Sequence, residues 1–317
     1  MNAEDLALTQ RFYHSLRRTR RVEVEIARVY PSDKIKSPVH LSIGQEAVAV
    51  GVCEALEPQD IAFGSYRGHA MYLAKGGDLR QMIAELFGKI DGCARGKGGS
   101  MHLVDVAHGI MGASAVVGTT IPNAIGYAYA LNYRRDARVV ASFFGDGATE
   151  EGVFAESLNF AALKKLPVLF VCENNGYAIH THQSKRQAVM DICGRVRAHG
   201  IAAESIEDGD VFRIYRATVE ALAAIRSGSG PRFLECKTSR WLEHVGPGED
   251  FDLGFRSRDE IRSWVENDQV VRLASMLAVA QREAIDREID AEIADAFQLA
   301  EQSPFPGESE LLRHLFR

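Results

Sequence analysis

The sequence lacks several features that would assign the protein to a particular class. It has no run of about 18 apolar residues, which is the length that a membrane-spanning helix requires. Its first ten residues, MNAEDLALTQ, contain neither the basic nor the apolar region of a signal peptide. The formal net charge of −6 provides no basic surface for nucleic acid. We therefore expect a cytoplasmic protein that binds neither nucleic acid nor membranes.

Cysteine is scarce as well. A disulfide framework needs an even number of cysteines at regular spacings, and a zinc knuckle needs closely spaced pairs. The 5 cysteines of this chain are odd in number and widely scattered. We therefore expect reduced thiols at Cys53, Cys93, Cys172, Cys193 and Cys236.

The sequence does contain an alternation of short apolar runs with helical patterns. The apolar runs VVASFF, PVLFVC, IAAESIE and RFLECKT begin at residues 139, 167, 201 and 232. Short apolar runs that alternate with helices are typical of parallel strands buried on both faces. The pattern predicts an α/β fold, a doubly wound and mostly parallel sheet with flanking helices. Helices are predicted at 4–30, 44–56, 66–75, 78–88, 119–134, 150–164, 185–198 and 211–227.

No repeat or low-complexity linker divides the chain. We therefore predict a single domain over residues 1–317, with an N-terminal helical arm at 1–30 and a charged helical extension from about 255 to 317. The basic cluster RRTRR at 17–21 is interpreted as decorating an N-terminal helix, although it could also contact an acidic partner surface.

Polar residues follow two of the predicted strands. Asp146 lies between Gly145 and Gly147 after the first run, and Asn175 lies in the turn after the second. In open α/β sheets, ligands bind beyond the carboxyl ends of the strands. Glycines let the backbone approach a ligand, and a helix beginning near Ala148 would offer unpaired N–H groups to a diphosphate. Carboxylate and amide oxygens, together with phosphate oxygens, are ligands for Mg²⁺.

The spacing of these two motifs supports a shared site. Asn175 follows Asp146 by 29 positions, which one loop, a crossover helix and a return strand would occupy. The two side chains are therefore predicted to emerge side by side, and the backbone carbonyl of Tyr177 could join them at the metal. Either motif alone is an ordinary turn sequence. Their occurrence after consecutive strands favours a diphosphate and magnesium site.

The motifs also resemble those of a known family. The residues GDG(A)…ENN match the thiamine-diphosphate motif, and the chain resembles the alpha subunit of the heterotetrameric 2-oxo acid dehydrogenase decarboxylases of the pyruvate, branched-chain and acetoin dehydrogenase complexes. The resemblance extends from about residue 10 to the end of the chain. Further matching segments are HLSIGQEAVAVG (40–51), SYRGHAMYLAKG (65–76), GCARGKGGSMHL (92–103), VVGTTIPNAIGYAYA (116–130) and SRWLEHVGPGED (239–250).

The resemblance implies a thiamine-diphosphate-binding fold and a set of binding residues. Tyr66 and Arg67 would bind the diphosphate, for which the planar guanidinium is well suited. Val117 would support the bent conformation of the cofactor. The implied cofactor-binding residues are Tyr66, Arg67, Ala115, Val117, Gly145, Asp146, Gly147, Ala148, Asn175, Tyr177 and His244, and the implied Mg²⁺ ligands are Asp146, Asn175 and the Tyr177 carbonyl.

Two histidines match catalytic positions of the family. His244 corresponds to the active-site histidine, and His40 to a histidine near the substrate. The chain also departs from the family pattern. Ser239 replaces a tyrosine, Ala115 stands where glycine or serine is frequent, and Val245 stands where kinase-regulated members have a serine. The last difference argues against regulation by phosphorylation at that position.

The implied function is that of an alpha subunit that decarboxylates a 2-oxo acid or cleaves acetoin and transfers the acyl group to a lipoyl carrier. In this family a beta subunit supplies the glutamate that activates the cofactor, so the resemblance implies an α₂β₂ heterotetramer and a lipoyl acyltransferase partner. Segment HVGPGEDFDLG is more similar to the acetoin-type members. Two alternatives remain: a two-subunit, transketolase-like carboligase with an aldehyde or sugar acceptor, and a non-catalytic scaffold subunit.

Other polar motifs receive structural interpretations. Residues GKGGS resemble a nucleotide phosphate loop, but the glycine spacing is short and no Ser or Thr follows the lysine, so we predict a structured loop near the subunit interface. His180 and His182 would face opposite sides of an extended segment, which argues against a shared metal. His69 is either a site residue or a supporting one. Glu150 and Glu151 are interpreted as favouring a helix N-terminus.

Overall fold

A computed structural model of the protein describes residues 3–313, so residues 1, 2 and 314–317 of the predicted arm and extension lie outside the described part. The strands in this range are β1 Ile61–Ser65, β2 Ile110–Ser114, β3 Val140–Gly145, β4 Val168–Asn174, β5 Tyr177–Ala178, β6 Thr181–His182, β7 Ala202–Ile206 and β8 Arg232–Lys237. Six of them form one sheet with the order β2-β1-β3-β4-β8-β7, and all neighbouring pairs are parallel. Strands β5 and β6 form a separate antiparallel hairpin.

Helices flank this sheet, which confirms the predicted α/β fold. The helices between residues 3 and 313 are α1 Ala3–Val29, α2 Glu46–Cys53, α3 His69–Ala74, α4 Leu79–Leu86, α5 Thr120–Arg134, α6 Gly152–Lys164, α7 Ile192–Arg197, α8 Val211–Arg226, α9 Arg258–Glu266, α10 Gln269–Ser275 and α11 Val279–Gln302. None of these described helices combines the length and the apolar composition needed to cross a membrane. The single-domain organisation and the cytoplasmic location stay predictions.

Strands β1 and β2 were not expected from the sequence. Gly64 ends the apolar run of β1 after three residues, and in the edge strand β2 only Ile110 is fully buried. Such short segments lack the continuous apolar run that marks a central strand. The helix predicted at 185–198 is shorter than expected. Gln183–Lys185 forms a 3₁₀ turn instead, and the Asp191 side chain caps α7 by accepting from Gly194 N–H.

The sheet separates two apolar cores. Ala141 and Phe143 of β3 pack on one face with α1, α2, α4 and α8, whereas Val140 and Phe144 pack on the other face with α5 and α6. Successive side chains of a strand point to opposite faces, so the run VVASFF supplies both cores. Burying a phenylalanine side chain contributes about 1.5–3 kcal/mol. This burial explains why β3 and β4 occupy the centre of the sheet.

The register between β3 and β4 places the two polar motifs next to each other. Gly145 pairs with Glu173 at the carboxyl ends of the two strands. Asp146 and Asn175 follow directly, each at the same edge of the sheet. Helix α6 makes the crossover between the strands, as the spacing of the motifs predicted.

The basic cluster at 17–21 pairs with acidic residues of the same chain. Its pairs with helix α11 are Arg17–Asp286, Arg18–Glu292 and Arg21–Asp290. Arg20 is more deeply buried, pairs with Glu46 and Asp268, and stacks on Trp241 with its guanidinium carbon 4.3 Å from the ring centroid. These ion pairs attach helix α1 to the rest of the protein. The arginines that the sequence analysis considered for an acidic partner therefore have acidic partners within the chain.

The glycine-rich loop at 92–103 folds around an internal anion. The carboxylate of the fully buried Glu85 accepts hydrogen bonds from four backbone N–H groups of this loop. The donors are Ala94 at 2.8 Å, Gly96 at 2.9 Å, Gly98 at 2.7 Å and Gly99 at 3.0 Å. A Cβ atom on Gly92 would lie 2.4 Å from Glu85 Oε2, so glycine is required there. The likeness to a phosphate loop thus reflects a nest of N–H groups that Glu85 already occupies.

We expect Glu85→Gln to destabilise the protein by at least about 2 kcal/mol. The amide nitrogen of glutamine would face two backbone N–H donors that now bond to a carboxylate oxygen, so at least two buried donors would lose their acceptor. Denaturant unfolding followed by circular dichroism measures the change, with the exposed Glu288→Gln as the matched control. Equal stability of the two variants would contradict this role of Glu85.

Candidate active site

A cavity of about 250 Å³ lies beyond the carboxyl ends of the central strands. Ten of the twelve residues predicted for the site line it: Tyr66, Arg67, Val117, Gly145, Asp146, Gly147, Ala148, Asn175, Tyr177 and His244. Ala115 and His40 are outside the lining, although His40 contacts two residues that belong to it. The structure therefore brings together residues from five separate sequence segments.

Asp146 is a buried carboxylate at the start of a short 3₁₀ helix, Asp146–Glu150. Burial raises its pKa, and the ion pair with Arg186 opposes that shift. The α-helix expected to begin near Ala148 starts only at Gly152, because Glu151 is extended between the two helices. A Cβ atom on Gly147 would lie 2.9 Å from Ala178 Cβ, so packing also requires glycine there, whereas Gly145 has no such close neighbour.

The two asparagines at the end of β4 have different environments. The Asn174 amide is buried and donates to Glu235 at 2.7 Å and to Gln183 at 3.2 Å. Asn175 lines the cavity, donates from Nδ2 to Gln45 at 2.8 Å, and accepts from the Tyr177 N–H at 3.1 Å. These bonds orient the Asn175 side chain. Asn174 is structural, and Asn175 is the one that a ligand could reach.

The side chain of Tyr177 points to the C-terminal helices. Its hydroxyl donates to Glu260 Oε2 at 2.6 Å, and burial together with this carboxylate raises the pKa of Tyr177 to about 12. The hydroxyl is therefore occupied. Only the backbone of Tyr177 remains for a metal, as the predicted carbonyl role requires.

Tyr66 and His244 line a second part of the cavity and cluster with the ring of His40, which lies outside the lining. The His40 ring lies 4.5 Å from that of Tyr66 and 5.1 Å from that of His244, between ring centroids. Arg67 donates to the Leu41 carbonyl at 2.6 Å and to the His244 carbonyl at 3.1 Å. Arg67 thus joins the loop that bears His244 to the segment after His40, in addition to lining the cavity.

Both histidines are neutral at pH 7. Burial, followed by the nearby Arg67 guanidinium, lowers the pKa of His244 and that of His40 to about 3. Arg67 Nη2 lies 3.4 Å from His244 Nδ1. Because a guanidinium can only donate, this contact favours the tautomer of His244 with its proton on Nε2. Among the described residues, Nδ1 of the buried His40 has no hydrogen-bond partner.

A buried ionic cluster holds the loop that carries His244. Asp250 accepts from Arg240 and Arg256, each at 2.6 Å, and all three side chains are almost fully buried. Arg240 also donates to the Ile179 carbonyl at 3.0 Å, next to the asparagine turn. The Gly246 N–H donates to the Val39 carbonyl at 2.8 Å. The loop is therefore anchored on both sides of His244.

Sequence reasoning missed several residues of the cavity. Glu173 lines it, and burial raises the pKa of this carboxyl to about 7 while Arg67 opposes the shift. A charged residue at the end of a buried strand was the available signal. The sequence contained no signal that would identify Gln45, which orients Asn175. Glu150 and Glu151, interpreted as helix-terminal residues, also line the cavity.

The remaining predicted polar motifs are structural. His69 is fully buried, with Nδ1 2.9 Å from Glu23 Oε1 and Nε2 2.7 Å from Ser100 Oγ, and it is not part of the cavity lining. His182 bonds to Ser184 at 2.8 Å, whereas His180 stacks on Phe255. His69 is thus a supporting residue, and His180 and His182 have separate contacts.

The chain is similar to known proteins over most of its length. The model of the dehydrogenase E1 component family matches residues 14–309. The alpha subunit of acetoin:2,6-dichlorophenolindophenol oxidoreductase from Bacillus subtilis is 34% identical, over 100% of this chain and 97% of that protein. The alpha subunit of the pyruvate dehydrogenase E1 component from Zymomonas mobilis is 36% identical, over 96% of this chain and 87% of that protein.

These similarities confirm the family resemblance drawn from the motifs. The chain also has an all-parallel main sheet and a cavity at the carboxyl edge of that sheet, and both Asp146 and Asn175 line this cavity. The protein therefore belongs to the dehydrogenase E1 component family, as an alpha-type chain related to the pyruvate and acetoin enzymes.

Proposed function

We propose that the chain is the alpha subunit of a thiamine-diphosphate- and Mg²⁺-dependent enzyme that decarboxylates a 2-oxo acid or cleaves acetoin. The observation that carries this proposal is the convergence of Asp146 and Asn175 in one cavity, from the ends of two adjacent parallel strands. Membership of the dehydrogenase E1 component family supports it.

The residues of the cavity fit these two ligands. Asp146 and Asn175 present carboxylate and amide oxygens, which suit a hard cation, and the Tyr177 backbone lies beside them. A Cβ atom on Gly145 would meet no atom closer than 4.0 Å, so the backbone there is accessible from the cavity. Tyr66, Arg67 and the backbone N–H groups of the Gly147–Ala148 pair would bind the diphosphate. The half-exposed Val117 would support the bent cofactor, next to Ala115.

The protein's own groups would position the substrate and move protons. The chemistry that thiamine diphosphate supplies when bound is a sink for the electron pair released as the bond to CO₂ breaks. The neutral His244 would offer Nε2–H to the carbonyl oxygen of the substrate or to the acyl-transfer step. His40, packed against Tyr66 and His244, would fix the ring orientation and face the substrate.

The cavity is smaller than most complete ligand sites, which measure about 300–1,000 Å³. Val116 and Val117 line it and are 63% and 42% exposed, so one wall is open. Both curated relatives are named as alpha subunits, which supports a beta subunit partner. We propose an α₂β₂ heterotetramer whose beta subunit completes the site, and a lipoyl acyltransferase as the acceptor of the acyl group.

The isolated alpha chain is expected to show no turnover, whereas the complex with the proposed beta subunit is expected to be active. Light scattering measures the assembly. Activity is followed by reduction of 2,6-dichlorophenolindophenol with acetoin, pyruvate and branched 2-oxo acids as donors, because this acceptor appears in the name of a relative. Full turnover by the alpha chain alone would refute the shared site, and a complex inactive with every donor would refute the proposed reaction.

A further inference from the structure

Asp146 is held from behind by an arginine that lies outside the cavity. Arg186 pairs with Asp146 through Oδ2 and with Glu150 through Oε1. Asp146 and Glu150 line the cavity, but Arg186 does not. The guanidinium therefore contacts two carboxylates of the site from the protein side.

Arg186 is itself fixed by the protein. Its Nε donates to the Thr181 carbonyl at 2.9 Å, its backbone N–H donates to the Gln183 carbonyl at 3.0 Å, and its side chain is 9% exposed. Gln187, the next residue, donates to the same Glu150 oxygen at 2.8 Å. A side chain with this many contacts has one conformation, so it can define the position of another group.

The contacts of Arg186 connect the segments that follow two neighbouring strands, β3 and β4, at the same edge of the sheet. Asp146 follows β3, whereas Arg186 follows β4 and the β5-β6 hairpin that begins with Tyr177. Ala178 of this hairpin also packs against Gly147. The guanidinium thereby sets the distance between Asp146 and the segment that contains Asn175 and Tyr177. Those residues are the ones proposed to share a cation.

We propose that Arg186 is a positioning residue for the divalent cation, holding the Asp146 carboxylate by one oxygen so that the other is presented to the cavity. This inference rests on the proposed function. Groups that orient a metal-bound carboxylate typically contribute 10–100-fold to metal affinity. A guanidinium that instead occupied the cation position would line the cavity, which Arg186 does not.

The test measures cation binding directly. In the assembled complex with saturating thiamine diphosphate, Mn²⁺ is titrated and the free ion is followed by electron paramagnetic resonance. We expect Arg186→Gln to weaken Mn²⁺ binding by 10-fold or more. We expect Arg186→Lys, which retains the charge but not the planar fork, to weaken it several-fold. The Mg²⁺ concentration for half-maximal activity should shift by the same factor, with kcat at saturating Mg²⁺ close to that of the wild type.

Arg195→Gln is the matched control. Arg195 binds the same 3₁₀ helix through Thr149, with Nη2 2.9 Å from Oγ1, but none of the hydrogen bonds within residues 3–313 joins it to Asp146 or Glu150. Its Mn²⁺ affinity should stay within about twofold of the wild type, while thermal melting reports the stability of every variant. If Arg186→Gln does not fold, the lysine variant decides.

Three outcomes would overturn the inference. Unchanged Mn²⁺ affinity in a folded Arg186 variant would show that the arginine has no positioning role. Tighter binding would show that it competes with the cation. A wild-type complex that binds neither Mn²⁺ nor the cofactor would remove the proposed function together with this inference, whereas the first two outcomes leave that function intact.

Discussion

Replacing Asp146 with alanine is expected to weaken the binding of thiamine diphosphate by 10-fold or more, which corresponds to at least about 1.4 kcal/mol. Asp146 is the one carboxylate among the three proposed Mg²⁺ ligands, the other two being an amide oxygen and a backbone carbonyl. Its removal takes away the charged ligand and leaves the Arg186 guanidinium with Glu150 as its carboxylate partner. Loss of the charged ligand disfavours a cation at this position, and the diphosphate depends on that cation.

Isothermal titration of the alpha–beta complex with the cofactor, with Mg²⁺ and with a chelator, measures this effect. The wild type should lose affinity when the chelator is added, whereas the variant should bind weakly under both conditions. Asp136→Ala is the matched control. Asp136 lies before the N-terminal end of β3, at the other end of the strand from Asp146, and it pairs locally with Arg138. Equal affinity of wild type and Asp146→Ala, with and without the chelator, would refute the metal assignment.

Replacing His244 with alanine is expected to lower turnover by about 10²-fold to 10⁴-fold while leaving cofactor affinity nearly unchanged. His244 contacts Tyr66, His40 and Arg67, and none of the hydrogen bonds described for residues 3–313 joins it to Asp146 or Asn175. The loop around it is anchored independently by Asp250 and its two arginine partners. Loss of the imidazole should therefore remove a chemical group without collapsing the site.

A purely structural role of His244 makes a different prediction. If the ring only orders its loop, His244→Asn or His244→Gln should restore most of the activity, since either amide can keep a neutral hydrogen bond. Single-turnover decarboxylation and acceptor-dependent turnover should both be measured, because loss of the second alone would assign His244 to acyl transfer. His108→Ala, which removes an exposed histidine paired with Asp105, is the control. More than about half of the wild-type turnover in both assays would exclude either catalytic role.

The central sheet could be predicted from local pattern because β3 and β4 are buried on both faces. A short apolar run such as VVASFF or PVLFVC, rich in β-branched and aromatic residues and flanked by helices, is typical of a strand buried on both faces. Strands β1 and β2 escaped prediction because Gly64 and the half-exposed residues of β2 dilute that signal. Their place in the sheet depends on pairing with β3 and with each other, which no short segment encodes.

Asp146 and Glu85 show the same difference between what the sequence could predict and what it could not. Asp146 could be placed at the site because strand order and motif spacing determine which residues emerge at the edge of a parallel sheet. The glycines at 92–99 looked like a site for an external anion, but their N–H groups converge on Glu85 of helix α4. Only the packing of the loop on that helix distinguishes the two cases.

The sequence by itself determined the α/β class, the placement of Asp146 and Asn175 after neighbouring strands, and the family, since each depends on residue type and on spacing along the chain. The tertiary structure decided which partners those residues have: Arg186 behind Asp146, Gln45 on Asn175, and Arg67 between His244 and Leu41. These contacts join residues between 26 and 177 positions apart. Such non-local contacts depend on how the loops beyond the sheet pack against one another, so they cannot be read from local sequence.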